Sequence, residues 1–105
     1  MKINLKQTFK TLKGDIIYRD DKKTDPLTLG EVLSEIVLSP HRDKKGFRPL
    51  KGLELARKFY NDKEIELDQS DFIQLKEIIE ESSAYIALVT GQVLEFLINS
   101  EKNSS

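Results

Sequence analysis

Between Thr28 and Pro40 the chain carries the signals that start, fill and stop a helix, and this segment sets what the remainder must pack against. Thr28 and Glu31 stand three apart, the spacing at which a hydroxyl and a carboxylate each satisfy an orphan backbone amide of the first turn. Leu29, Val32, Leu33, Ile36 and Val37 then follow at i, i+3, i+4, i+7 and i+8, one apolar stripe. Pro40 ends it. A helix this short is marginal alone in water, so its stripe requires a partner surface.

The residues before it supply one. Ile3, Leu5 and Phe9 alternate with Asn4, Lys6, Thr8 and Lys10, the period-two pattern of a half-buried strand, with Gln7 as the exception. Gly14 permits a tight turn, and Asp15-Ile16-Ile17-Tyr18 resumes with β-branched and aromatic residues, which predicts a hairpin. Residues 19–26 (RDDKKTDP) form a charged connector closing on Pro26.

After the first helix, a second is expected from Leu50 to Tyr60, with Leu53, Ala56, Phe59 and Tyr60 inward. Residues 63–67 (KEIEL) alternate too, as a brief strand or an extended lead-in that plugs the core; the lead-in is favoured. Asp68 is placed to cap a third helix carrying Phe72, Leu75, Ile78 and Ile79 inward, and Ser82-Ser83 mark a break. The last helix, Ala84 to Ile98, is apolar around most of its circumference. It is therefore central in the monomer or shared with a second subunit, and Val89, Val93 and Leu97 are its core or interface residues. The tail NSEKNSS has no apolar residue and is expected to be disordered.

Composition narrows the chemistry. With no Cys and one His among 105 residues, disulfides, thiolate catalysis and Cys- or His-based metal cages are excluded. Seventeen Lys and Arg nearly balance eighteen Asp and Glu, so any charged partner must be met locally. No apolar run approaches the ~20 residues of a membrane span, and MKINLKQTFK lacks a signal-peptide core, so an unexported, cytoplasmic protein is expected. His41 lies in a polar loop without a nucleophile partner, and the glycines are scattered singly, without a phosphate-cradling loop. Asp62, Glu64, Glu66, Asp68 and Asp71 are dense in oxygen, but Ile65 and Leu67 fall where a calcium loop must bend. Asp20, Asp21 and Asp25 offer a still weaker metal set. No catalytic residue, metal or cofactor is assigned.

The most legible local feature is basic. Over residues 42–51, Arg42, Lys44, Lys45, Arg48 and Lys51 oppose only Asp43, a charge of +4, with Phe47 among them. Cations flanking an aromatic can neutralise phosphates and stack on an unpaired base. The competing reading is an ordinary interhelix loop with Phe47 anchored on the core. Residues 62–81 carry eight acids against Lys63 and Lys76, a charge of −6 that discourages extended contact with a polyanion. These opposite poles also invite head-to-tail self-association or a charged protein partner.

In order, LTLGEVL, LELARKFYND, KEIELDQSDFIQLKEII and VTGQVLEFL resemble segments of small uncharacterised proteins encoded by tailed bacteriophages and prophages. The resemblance spans roughly residues 3 to 98. It implies a phage or prophage context and work in the bacterial host cytoplasm, by binding another protein as an inhibitor of host machinery or defence, or as an assembly accessory. That family brings no functional residues with it. The expectation is thus an α+β fold, mainly helical, with an amino-terminal β-hairpin packed against about four short helices. A single domain over residues 1–99 and a disordered tail over 100–105 go with it. The expected function is noncatalytic protein–protein interaction, with a nucleic-acid-binding accessory using the 42–51 loop and the lysines of the amino-terminal strand as the alternative. A homo-oligomer through helix 84–98 would fit either.

Overall fold

The computed structural model describes residues 1–39, 47–82 and 84–103. The fold is α+β and mainly helical, with the elements β1 (Lys2–Asn4), α1 (Leu29–Leu38), α2 (Pro49–Asn61), β2 (Glu64–Glu66), α3 (Gln69–Glu81) and α4 (Ala87–Asn103). One cluster of buried side chains draws on all six: Ile3, Leu33, Phe59, Ile65, Phe72 and Val93 are among its members.

The amino-terminal segment does two jobs. Its first residues pair antiparallel with β2, Lys2 opposite Glu66, Ile3 opposite Ile65 and Asn4 opposite Glu64. Within residues 63–67, Glu64–Glu66 therefore form a brief strand in place of the favoured lead-in, although Ile65 and Leu67 do plug the core. A strand partner sixty residues away leaves no local trace in so short an alternation. Further on, the chain turns back at Gly14, whose φ of +94° favours glycine, and Lys10 bridges Ile16 antiparallel. Ile3, Leu5 and Phe9 are buried while Asn4, Lys6 and Lys10 are exposed, as the alternation predicts.

The five-residue stripe of α1 is buried throughout. Thr28 caps it, its hydroxyl accepting from the Glu31 N–H at 3.5 Å, but the Glu31 carboxylate turns to Arg19 instead of closing the reciprocal arm. The helix ends at Leu38, and Pro40, its expected stop, lies outside the described residues.

Helices α1 and α2 run antiparallel in close contact. Gly30 faces the Phe59 carbonyl and Gly52 faces Val37. Because small residues set this contact, α2 buries Gly52, Leu55, Ala56 and Phe59. Leu53 and Tyr60, expected inward, are exposed. Glycine and alanine carry almost no hydropathy signal, so the pattern of large apolar residues alone turned the predicted face.

Asp68 caps α3 as expected, accepting from the Asp71 N–H at 2.7 Å, and Phe72, Leu75, Ile78 and Ile79 are buried. On α4, Val89, Val93 and Leu97 enter the monomer's own core. Gln92 holds Lys10 by both backbone groups, Oε1 accepting from its N–H at 2.9 Å and Nε2 donating to its carbonyl at 2.8 Å. The rings of Phe9 and Phe96 meet edge-on at 5.5 Å. The helix starts at Ala87 and runs to Asn103, through residues expected in the disordered tail; residues 104 and 105 lie outside the described set. Among the described residues no helix is long and apolar enough to cross a membrane.

Candidate interaction surface

Three of the six residues singled out in the basic segment are described: Phe47, Arg48 and Lys51. Arg42, Lys44 and Lys45 lie outside the described residues, as does His41. Phe47 packs half-buried against the core beside Gly52, the anchoring position of the competing reading. Lys51 is turned back onto the protein. Its Nζ lies 2.6 Å from Asp71 Oδ1 and 5.8 Å from the Phe47 ring centre. The hydrogen bond to Asp71 raises the lysine's proton affinity above the ordinary value. Arg48 precedes Pro49 at the start of α2 and is exposed without an acidic partner among the described residues. One of the three thus presents an uncommitted cation.

The lysines of the amino terminus do not extend this patch. The Gly30 N–H donates to the Leu5 carbonyl at 3.0 Å and the Leu29 N–H to the Gln7 carbonyl at 2.8 Å, so Lys6 sits at the start of α1, whereas Gly52 and Phe47 sit by Val37 near its end. At about 1.5 Å per residue, the rise from Gly30 to Val37 puts roughly 10 Å along α1 between the two basic groups.

Four of the eight acidic candidates are likewise engaged, three of them around α3 and β2. Asp68 caps α3, Asp71 holds Lys51, and Glu64 faces Lys2 across the sheet at 3.8 Å. In the connector, Asp20 Oδ1 accepts from the N–H groups of Thr24 at 3.0 Å and Asp25 at 3.1 Å, while Oδ2 accepts from the Thr24 hydroxyl. These bonds, the hydroxyl first, lower the carboxyl's proton affinity and shape the turn in which Lys23 takes a φ of 57°. Among the described residues no group of three His, Cys, Asp or Glu is arranged to hold a metal ion.

A polar cluster that sequence reasoning missed joins three segments. Arg19 Nε lies 2.7 Å from Glu31 Oε2 and Nη2 lies 2.5 Å from Glu35 Oε1, while the Tyr85 hydroxyl donates to the other Glu35 oxygen. Burial first, then the Glu35 carboxylate, pushes the Tyr85 phenol up to about 12. At neutral pH it is a fixed donor, and the cluster works as a clasp between the connector, α1 and the approach to α4. Glu31 and Glu35, one turn apart, signalled a need for a cation; Tyr85, fifty residues on, had no local signal.

Tyr85→Phe should lower stability by about 1 kcal/mol, the usual net worth of one hydrogen bond. The pH dependence has a defined sign. A phenol whose folded value exceeds its unfolded value of 10.0 contributes fully below pH 10, and that contribution is lost as pH rises towards 12. Urea titrations should therefore show a constant gap between wild type and Tyr85→Phe up to pH 10, closing above it. A gap independent of pH would show that neither burial nor Glu35 raises the phenol in the folded chain.

The exposed side of α2 carries a stripe that is largely apolar. Along α2, Leu50, Leu53, Arg57 and Tyr60 recur at intervals of three, four and three, all on its exposed side. Leu50 is 73% and Tyr60 62% exposed. Comparison with protein-family models, curated proteins and solved structures finds no match, so the function has to be argued from this surface.

Proposed function

We propose that this chain is a noncatalytic phage or prophage protein that works in the host cytoplasm by binding another protein, as an inhibitor of host machinery or defence or as an assembly accessory. The observation that carries the protein-binding reading is the α2 stripe, in which Leu50, Leu53 and Tyr60 stay on the surface with Arg57 among them. Aromatic residues and arginine on an apolar ground are the side chains from which binding hot spots are built, and helical spacing suits them to a groove. The phage context and the cytoplasmic setting come from the resemblance described above. Nucleic-acid binding ranks second, because Lys51 is tied to Asp71 and the two basic groups lie at opposite ends of α1.

The test pairs two measurements. Affinity capture at about 0.5 M salt should recover a protein complex, because apolar burial resists screening. Leu53→Asp with Tyr60→Ala should abolish it, since loss of one hot spot of about 2 kcal/mol already weakens binding roughly 30-fold. In parallel, DNA and RNA binding should be weak and vanish near physiological salt. Submicromolar nucleic-acid affinity at that ionic strength, lost on replacing Lys44 and Lys45, would replace this reading with the runner-up.

A further inference from the structure

The tip of the amino-terminal hairpin is built as a rigid, protruding contact. Thr11 donates its N–H to the Asp15 carbonyl at 2.8 Å, the Gly14 N–H donates to the Thr11 carbonyl at 2.9 Å, and the Asp15 N–H donates to the Thr11 hydroxyl at 3.2 Å. Three bonds within five residues fix the loop, and Gln92 fixes its base at Lys10. On this frame Leu12 is 94% exposed. Lys6, Lys10 and Lys13 have no acidic partner among the described residues, and Asp15 is the only acid in the first nineteen positions. A preorganised apolar knob flanked along the chain by the uncommitted Lys10 and Lys13 loses little entropy on docking and calls for an apolar spot with an acidic rim.

The same molecule carries such a spot. Ile73, Glu77 and Glu80 recur at i, i+4 and i+7 on the exposed side of α3, with Ile73 46% exposed, within the segment of charge −6. The two features cannot meet within one copy. Gln92 holds the hairpin to α4, while Glu101, bridged to Lys76 at 3.3 Å, holds α3. Nine residues separate Gln92 from Glu101, about half a revolution out of phase at roughly 3.6 residues per turn. Hairpin and α3 therefore lie on opposite flanks of α4.

We propose that the occupant is a second copy of the chain: Leu12 of one copy seats on Ile73 of the next, with Lys10 and Lys13 against Glu77 and Glu80. The contact is heterologous, so it propagates head to tail. It uses neither the α2 stripe nor the buried face of α4, so it stands or falls apart from the partner-binding reading.

Sedimentation velocity of the purified full chain tests this. At about 50 mM salt the weight-average mass should climb with concentration between roughly 10 μM and 1 mM, and return to that of the monomer at about 500 mM, where screening is strong. Two variants at exposed positions each remove half of the contact: Leu12→Asp with Lys13→Glu, and Ile73→Lys with Glu77→Lys. Each should melt like the wild type and stay monomeric alone. For a clean heterologous pair, a mixing experiment uses Leu12→Asp alone against Ile73→Asp alone, each keeping one intact half while the two altered halves repel each other; the mixture should form a 1:1 dimer that grows no further. A wild type monomeric throughout, self-association that survives in either variant, or a mixture that stays monomeric would overturn the proposal, the second result by pointing to another face such as that of α4.

Discussion

Val93→Asp should leave the chain largely unfolded at room temperature. Val93 is fully buried at the centre of α4, with Val89 and Leu97 one turn to either side in the same core. An aspartate there has no cation or donor within the apolar cluster, so it must be buried charged or take up a proton on folding, and either route costs several kcal/mol. A small domain has only about 5–15 kcal/mol in total. Far-UV circular dichroism and a urea titration would register the loss. Gly91→Asp supplies the contrast, because a side chain at Gly91 meets nothing within 4 Å. The same charge two residues away should shift the midpoint little. Equal midpoints for the two variants would mean that α4 is not docked through this face.

The elements legible in the sequence were those whose signals are local. The stripe and cap of α1, the Asp68 cap and inward set of α3, and the turn at Gly14 each follow from residues within a few positions of one another. The features that escaped depend on distance along the chain. β2 becomes a strand through β1, Tyr85 reaches Glu35 across fifty residues, and Lys51 is claimed by Asp71 twenty residues on, so its cation is spent where the local count left it free. The exposed set on α2 was missed for a different reason. Hydropathy favoured Leu53 and Tyr60 as inward, but the packing distance between α1 and α2 is set by glycines, whose contribution to burial lies in what they allow to approach. The basic segment was legible as charge. Phe47 as an anchor was legible as well, in the competing reading, but the division of the cations into a bridged lysine and an exposed arginine was not, because that division is made by Asp71.

That dependence on close approach makes the glycines of the α1–α2 pair the sharpest remaining test, since the same substitution should act in opposite directions at two sites. A Cβ at Gly30 would stand 2.1 Å from the Phe59 carbonyl oxygen and 3.2 Å from the Leu5 Cβ. The first neighbour is backbone and cannot swing aside, so Gly30→Ala must push α2 away from α1 and open the contact along its length. Overpacking of this kind costs about 1–3 kcal/mol and sometimes more, against a gain of about 1 kcal/mol in helix propensity. With a backbone oxygen at 2.1 Å the cost falls at the upper end of that range, so a net loss of about 2 kcal/mol is expected, lowering the melting temperature by roughly 8–16 °C in a domain of this size. At Gly52 the nearest atoms to an added Cβ are Val37 Cγ1 at 3.6 Å and Phe47 Cβ at 3.8 Å, ordinary van der Waals contact. Gly52→Ala should accordingly keep most of the propensity gain and raise the midpoint. Parallel urea titrations with unchanged slopes would report both as changes in stability alone. If Gly30→Ala proved as stable as Gly52→Ala, the two helices would be farther apart than their small residues allow, and the outward turn of Leu53 and Tyr60 would lose its cause.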